Sequence, residues 1–224
     1  MEKLFIMKVW KWEDFKKLCI KKGFNISQIN EYWDTLLKKK NTILFYEEKY
    51  KDTFNNFFSS NKKIIMGELK FEKAMEECKE YTISAALNLH SMSDTLAQII
   101  NQTILNIPLP ENDVSLQRIK DQIDNNTQEG INLKNTIDIF IKSPEFQYIN
   151  AFANTYKHIK VIKKYFRAEY GKTTRNEQGI VFRSFYYKNE SYNDTWAIDI
   201  LGPYKKKIFG YISDIGNSVN KYLT

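Results

Sequence analysis

The chain has 224 residues, a formal charge of +7 and 42% hydrophobic residues, enough for a core that needs neither disulfide nor metal staples. Cys19 and Cys78 lie far apart in amphipathic segments with no CxxC pair, so they read as reduced thiols, and no zinc site is visible. The opening MEKLFIMKVWKW is broken by Lys8 and Lys11 before it reaches the apolar run of a signal peptide, and no segment approaches the roughly 20 apolar residues of a membrane span. The expectation is a cytoplasmic protein without a membrane partner and without a cofactor.

Leu4 to Val9 reads as a short strand or irregular lead-in. Trp12, Phe15, Leu18 and Cys19 recur at three and four residues, which predicts a short helix stopped by Gly23. Ser27 is the expected cap of a second helix carrying Ile29, Trp33, Leu36 and Leu37, with Lys38, Lys39 and Lys40 at its C-terminal end, where they suit the dipole. A further helical pattern runs from Asn41 to Ser60, its aromatics suited to a core or to a dimer surface.

The dominant signal follows. Phe71, Met75, Cys78, Thr82, Ala85, Leu89, Met92, Leu96, Ile99 and Thr103 alternate steps of four and three, one stripe down a long helix expected over about 64–106. A second column holds His90, Asp94 and Asn101, and His90 and Asp94 can meet four residues apart. That pairing fits either a functional site or a self-satisfied pair at the edge of the core. Pro108 and Pro110 end the helix.

Short helices are expected from Val114 to Ile123 and from Ile131 to Ile141. Ser143-Pro144-Glu145 then reads as cap, first helical residue and N-terminal acid of another helix. On it Asn150, Asn154 and His158 follow one another by four. Beyond His158 the pattern alternates: Ile162, Phe166 and Ala168 face one way, Lys163, Tyr165 and Arg167 the other, with Lys164 out of phase. A hairpin loop at 171–179 and a second strand from Ile180 to Tyr187 complete a small antiparallel ribbon. Asp194 is the expected cap of a closing helical region interrupted at Gly202-Pro203.

The fold class expected is therefore mainly α: a helical bundle around the long helix, with a β-ribbon over about 159–192 before the C-terminal helix. The chain reads as one domain, with N-terminal helices (1–63), a bundle core (64–158), the ribbon, and a helical end (193–224). Net charges of +6 over 1–63, −5 over 64–158 and +6 over 159–224 are compatible with nucleic-acid contact by the basic ends, or with ends that pack on the acidic middle. Lys160, Lys163, Lys164, Arg167, Lys172, Arg175 and Arg183 interleave with Tyr165, Tyr170, Phe182 and Phe185, so the ribbon reads first as an amphipathic hairpin guarded by lysines and, if nucleic acid is bound, as the surface that binds it. Lys163, Lys164 and Arg167 are the candidate phosphate contacts.

There is no GxxxxGK, GxSxG, HExxH or acidic triad at metal-ligand spacing, which disfavours those enzyme classes. What remains is histidine as a proton-transfer group with amide and lysine neighbours. The long helix with a polar flank, followed by Asn154-x-x-x-His158 near the end of a later helix, resembles the HEPN superfamily of helical bundles, often found in bacterial defence and toxin systems. That motif is an arginine, a polar residue, three residues and a histidine, and its active members, usually dimers, cleave RNA without metal. Here the arginine position is Ala153, which implies weakened or lost cleavage. The Leu89-His90 to Asn101 and Asn154 to His158 stretches are also similar to a group of bacterial helical proteins, a likeness that supplies no activity. The resemblance implies His158, with Lys157 and Asn154, as the catalytic set, and His90, Asp94, Asn101 and Asn150 as its supporting network. RNA or another nucleic acid, a second copy, or a cognate protein are the partners that follow.

Overall fold

A computed structural model describes residues 10–59, 69–105, 107–169 and 177–224. The expected lead-in at Leu4 to Val9, the stretch 61–63 and most of the loop at 171–179 lie outside them. The fold is mainly helical. In chain order, α1 (Trp12–Lys21), α2 (Ile26–Phe54), α3 (Leu69–Ile104), α4 (Leu116–Gln122), α5 (Gln128–Lys142) and α6 (Pro144–His158) precede β1 (Lys164–Glu169), β2 (Glu177–Phe182), β3 (Phe185–Tyr187), β4 (Glu190–Tyr192) and β5 (Thr195–Trp196). A helical segment, α7 (Ala197–Asp199), a π turn (Ile200–Tyr204) and α8 (Lys205–Leu223), closes the chain.

The chain forms two compact units, one of residues 1–40, 90–147 and 206–224, the other of 41–89 and 148–205. In the first, Trp10, Trp12, Phe15 and Trp33 form an aromatic cluster, with Trp12 and Trp33 stacked at 4.0 Å between centroids. Asn220 locks it: Trp10 Nε1 donates to Asn220 Oδ1 at 3.4 Å, and Asn220 Nδ2 donates to Lys11 O at 3.0 Å. Gly216 makes this approach possible, since a Cβ there would lie 2.1 Å from the Trp10 ring.

The 36-residue α3 buries every member of the apolar stripe from Phe71 to Thr103. Its buried hydroxyls stay satisfied within the helix: Thr82 donates to Cys78 O at 2.8 Å and Thr103 to Ile99 O at 2.9 Å. Burial pushes the Cys78 thiol up to about 12, as it does Cys19.

Several local expectations are corrected. The helix expected to stop at Lys40 continues to Phe54, because Ile43 and Tyr50 extend the buried face. Asn25, not Ser27, caps it, accepting from Gln28 N at 3.4 Å. The three lysines are thus mid-helix: Lys40 is buried, which lowers its ammonium pKa, and Lys39 donates to Ser91 O at 2.9 Å and Thr95 Oγ1 at 2.6 Å. Ser143 caps α6 as expected, accepting from Phe146 N at 3.3 Å.

In the second unit β1 pairs antiparallel with β2, and β2 with β5, while β3 and β4 form a separate hairpin, so the single strand expected from Ile180 to Tyr187 is split. Asp194 does not cap the closing helix, because Thr195 and Trp196 are strand. Gly202-Pro203 does not break that helix either. Pro203 lacks an N–H, and the backbone widens into the π turn before continuing.

Glu47 anchors this unit, paired with Lys51 at 2.8 Å and with Lys205; Glu47 and Lys205 are only 14% and 12% exposed. Burial raises the Glu47 pKa, but hydrogen bonds from Lys205 and Lys51 outweigh it and hold the carboxyl below its usual range.

Two outcomes follow. Gly216→Ala forces a methyl into the Trp10 ring and costs about 1 to 3 kcal/mol, read as a lowered urea midpoint. Glu47 contributes stability in full above its unfolded pKa of about 4.3, and loses it as pH falls through the lower folded value. Glu47→Gln therefore costs about 1.5 to 3 kcal/mol at pH 7, and its melting temperature falls less than that of the parent between about pH 5 and pH 3.

Candidate functional site

α6 is phased by its core face. Ile149, Phe152, Ala153 and Thr155 are all 0% exposed. The position that would carry the arginine of the HEPN motif is therefore sealed. Asn154, one residue on, is half-buried and committed locally: its Nδ2 donates to Asn150 O at 2.8 Å and to Asn150 Oδ1 at 3.0 Å. Lys157 and His158 are exposed in the last turn, where positive charge suits the helix C-terminus. The helix ends with Ile159 N and Lys160 N both donating to Thr155 O at 3.0 Å.

From there the chain runs extended into β1. Ile162 is buried and anchors it, while Lys160 and Lys163 stand exposed with Ile159 (61%) and Val161 (65%) between and beside them. Lys157, Lys160 and Lys163 have no ion-pair partner among the described residues. Lys164, out of phase as expected, is 17% exposed and bound to Glu76 at 3.0 Å. Its charge is thereby neutralised within the fold.

The sheet carries a second cationic group. Tyr165, Val181 and Trp196 lie opposite one another across β1, β2 and β5, so their side chains share a face; Arg167 opposite Gly179 is the next row. Gly179 has no side chain, and the Trp196 indole fills that space, 3.5 Å from where a Cβ would stand. The Arg167 guanidinium lies over that indole at 5.8 Å, and Arg183 lies over Tyr165 at 5.4 Å. Asp194 ties the row together: its Oδ2 accepts from Tyr165 OH at 2.6 Å, and its Oδ1 accepts from Ser184 N at 2.7 Å. Those two bonds hold the Asp194 carboxyl below its usual range, and the bond to Asp194 raises the Tyr165 phenol. Phe182 and Phe185, expected among the ring platforms, are buried and serve the core. Lys172, Arg175 and Tyr170 lie outside the described residues.

On α3, His90 Nδ1 lies 3.9 Å from Asp94 Oδ2, at the edge of the helix; His90 is 14% exposed and Asp94 58%. Both belong to the first unit and His158 to the second. Asn101 has a different task from the one expected. It is buried and grips the backbone of Leu109 on both sides, donating from Nδ2 to Leu109 O at 3.0 Å and accepting at Oδ1 from Leu109 N at 2.8 Å. Gln98 Nε2 adds a bond to Glu111 O at 3.0 Å. Both amides hold the proline-bounded loop against α3.

Among the described residues no group of three or more His, Cys, Asp or Glu is placed to hold a metal ion, and no helix is long and apolar enough to cross a membrane. Comparison with protein-family models, with curated proteins and with solved structures finds no match to this chain.

Sequence reading missed Asp194 and Trp196 as members of the cationic row. Gly179, which the sequence reading assigns to the end of the hairpin loop, lies within β2, where a glycine marks the close approach of another group. Asn101→Ala leaves the Leu109 amide and carbonyl without partners and costs about 1 to 3 kcal/mol; in denaturant titration the midpoint falls, whereas Asp94→Ala leaves it within about 0.5 kcal/mol as an exposed change.

Proposed function

We propose that this chain is an RNA-associated helical protein of HEPN-like type that holds RNA by its phosphates without cleaving it. The observation that carries this reading is the run of cations Lys157, Lys160, Lys163 and Arg167 from the end of α6 along β1, the three lysines being exposed and, among the described residues, free of ion pairs. Phosphate binding needs such charges more than it needs a fixed pocket, because releasing condensed counterions supplies most of the affinity. The loss of cleavage is supported by Ala153, whose 0% exposure leaves no place for the arginine that the resemblance associates with catalysis. A guanidinium there would have to be buried unpaired, at a cost of several kcal/mol. His158 remains able to contact phosphate as an exposed helix-end side chain. Lys164 contributes little, since Glu76 already holds it.

A second reading has one observation behind it. Ile159 and Val161 stand exposed among the same lysines, a composition that also seats on an acidic protein surface.

The test uses a fluorescein-labelled single-stranded RNA, anisotropy over a salt series, and a denaturing gel of the same samples. The expected result is salt-sensitive binding with the RNA intact. In the Lys160→Ala/Lys163→Ala/Arg167→Ala variant, the slope of log affinity against log salt falls by about 2. RNA cut by the parent but not by His158→Ala overturns the non-cleaving reading. Unchanged binding by the triple variant overturns the assignment of the surface.

A further inference from the structure

The β3–β4 hairpin presents a feature that phosphate contact alone does not use. Its inner face is built from Phe185 and Tyr192, which stack at 5.2 Å with 13° between planes and pack edge-on against Tyr148. Its outer face carries Tyr186 opposite Ser191. The small serine leaves the tyrosine ring uncovered, and Tyr186 is 71% exposed. The hairpin is closed by Lys188 and Asn189, both with positive φ (48° and 65°), the backbone of the tight turn that matches strand twist. At its base Ser184 is pinned to Asp194. An aromatic ring is therefore held open to solvent on a two-stranded finger anchored at its base.

Cations stand at the base of the finger: Arg183, over Tyr165, directly precedes Ser184, whose N–H Asp194 holds. Lys188 lies over the Tyr187 ring at 5.4 Å, on the other side of the strand from Tyr186. Glu190, the acid of the finger, is engaged by Tyr192 OH at 3.0 Å. An open ring on a finger with arginines at its base matches a ligand that offers both π-faces and phosphates. Within a duplex the base faces are already stacked, so only unpaired bases can meet Tyr186.

We infer that Tyr186 stacks on a base of single-stranded nucleic acid whose phosphates run along the arginines at the base of the finger. This rests on the RNA-associated reading above and goes beyond it by naming the strandedness of the ligand and the residue that reads it.

The experiment compares the full chain with Tyr186→Ala, Tyr186→Trp and the Lys160/Lys163/Arg167 alanine variant, against a labelled single-stranded RNA and its blunt duplex. Tyr186→Ala is expected to weaken single-strand binding about tenfold with an unchanged salt slope and unchanged duplex binding, while Tyr186→Trp retains or strengthens it. Near-ultraviolet circular dichroism of each variant reports that the Tyr148 cluster is intact. If Tyr186→Ala binds the single strand as the parent does, while the cationic variant is weakened, the stacking role is wrong and the phosphate reading stands. If the parent binds neither RNA, both are wrong.

Discussion

The rotational setting of α6 is the constraint on which the proposed binding surface depends. Ile149, Phe152 and Ala153 are fully buried, so the helix cannot turn without exposing them. That phase settles the fate of each polar residue at its end. Ala153 faces inward, Asn154 is half-buried and uses its amide on Asn150, and Lys157 and His158 reach solvent. The arginine that the HEPN resemblance associates with cleavage would fall at position 153, on the side that this helix gives to the core. What the geometry leaves outside is positive charge, and it leaves it where the helix dipole stabilises it.

The sheet extends the same logic. Because Gly179 lacks a side chain, the Trp196 indole closes on the strand there, and the Arg167 guanidinium lies over that indole. Arg183 is placed over Tyr165 in the same way, and Asp194 fixes the Tyr165 hydroxyl from below. Stacking of this kind orients a guanidinium, whose planar fork suits phosphate better than a flexible lysine does. One carboxylate among two arginines organises the group without cancelling it.

Much of this was legible in the residue pattern, and the gaps have identifiable causes. The stripe from Phe71 to Thr103 is long and regular, and all ten members are buried. Ser143-Pro144 marks a helix start by its own chemistry, and it does so here. Lys40 misled because a lysine run resembles a helix end; only the burial of Ile43 and Tyr50 carries α2 through it. Asp194 resembles a cap, yet its carboxylate is taken by Tyr165, 29 residues away in sequence. Asn101 shares a helix line with His90 and Asp94, but its partner is the Leu109 backbone, which no periodicity marks. Local signals were readable where the partner lay within one turn, and were lost where tertiary contact selected among competing partners.

The account rests on one claim, that the surface formed by the end of α6, β1 and the β3–β4 hairpin receives nucleic acid. Ultraviolet crosslinking of the full chain to a single-stranded RNA, followed by mass-spectrometric mapping of the modified peptides, tests it most directly. The account predicts crosslinks within residues 157–167 and at Tyr186. Crosslinks confined to α1, α5 or α8, or none above an acidic control protein, would contradict it.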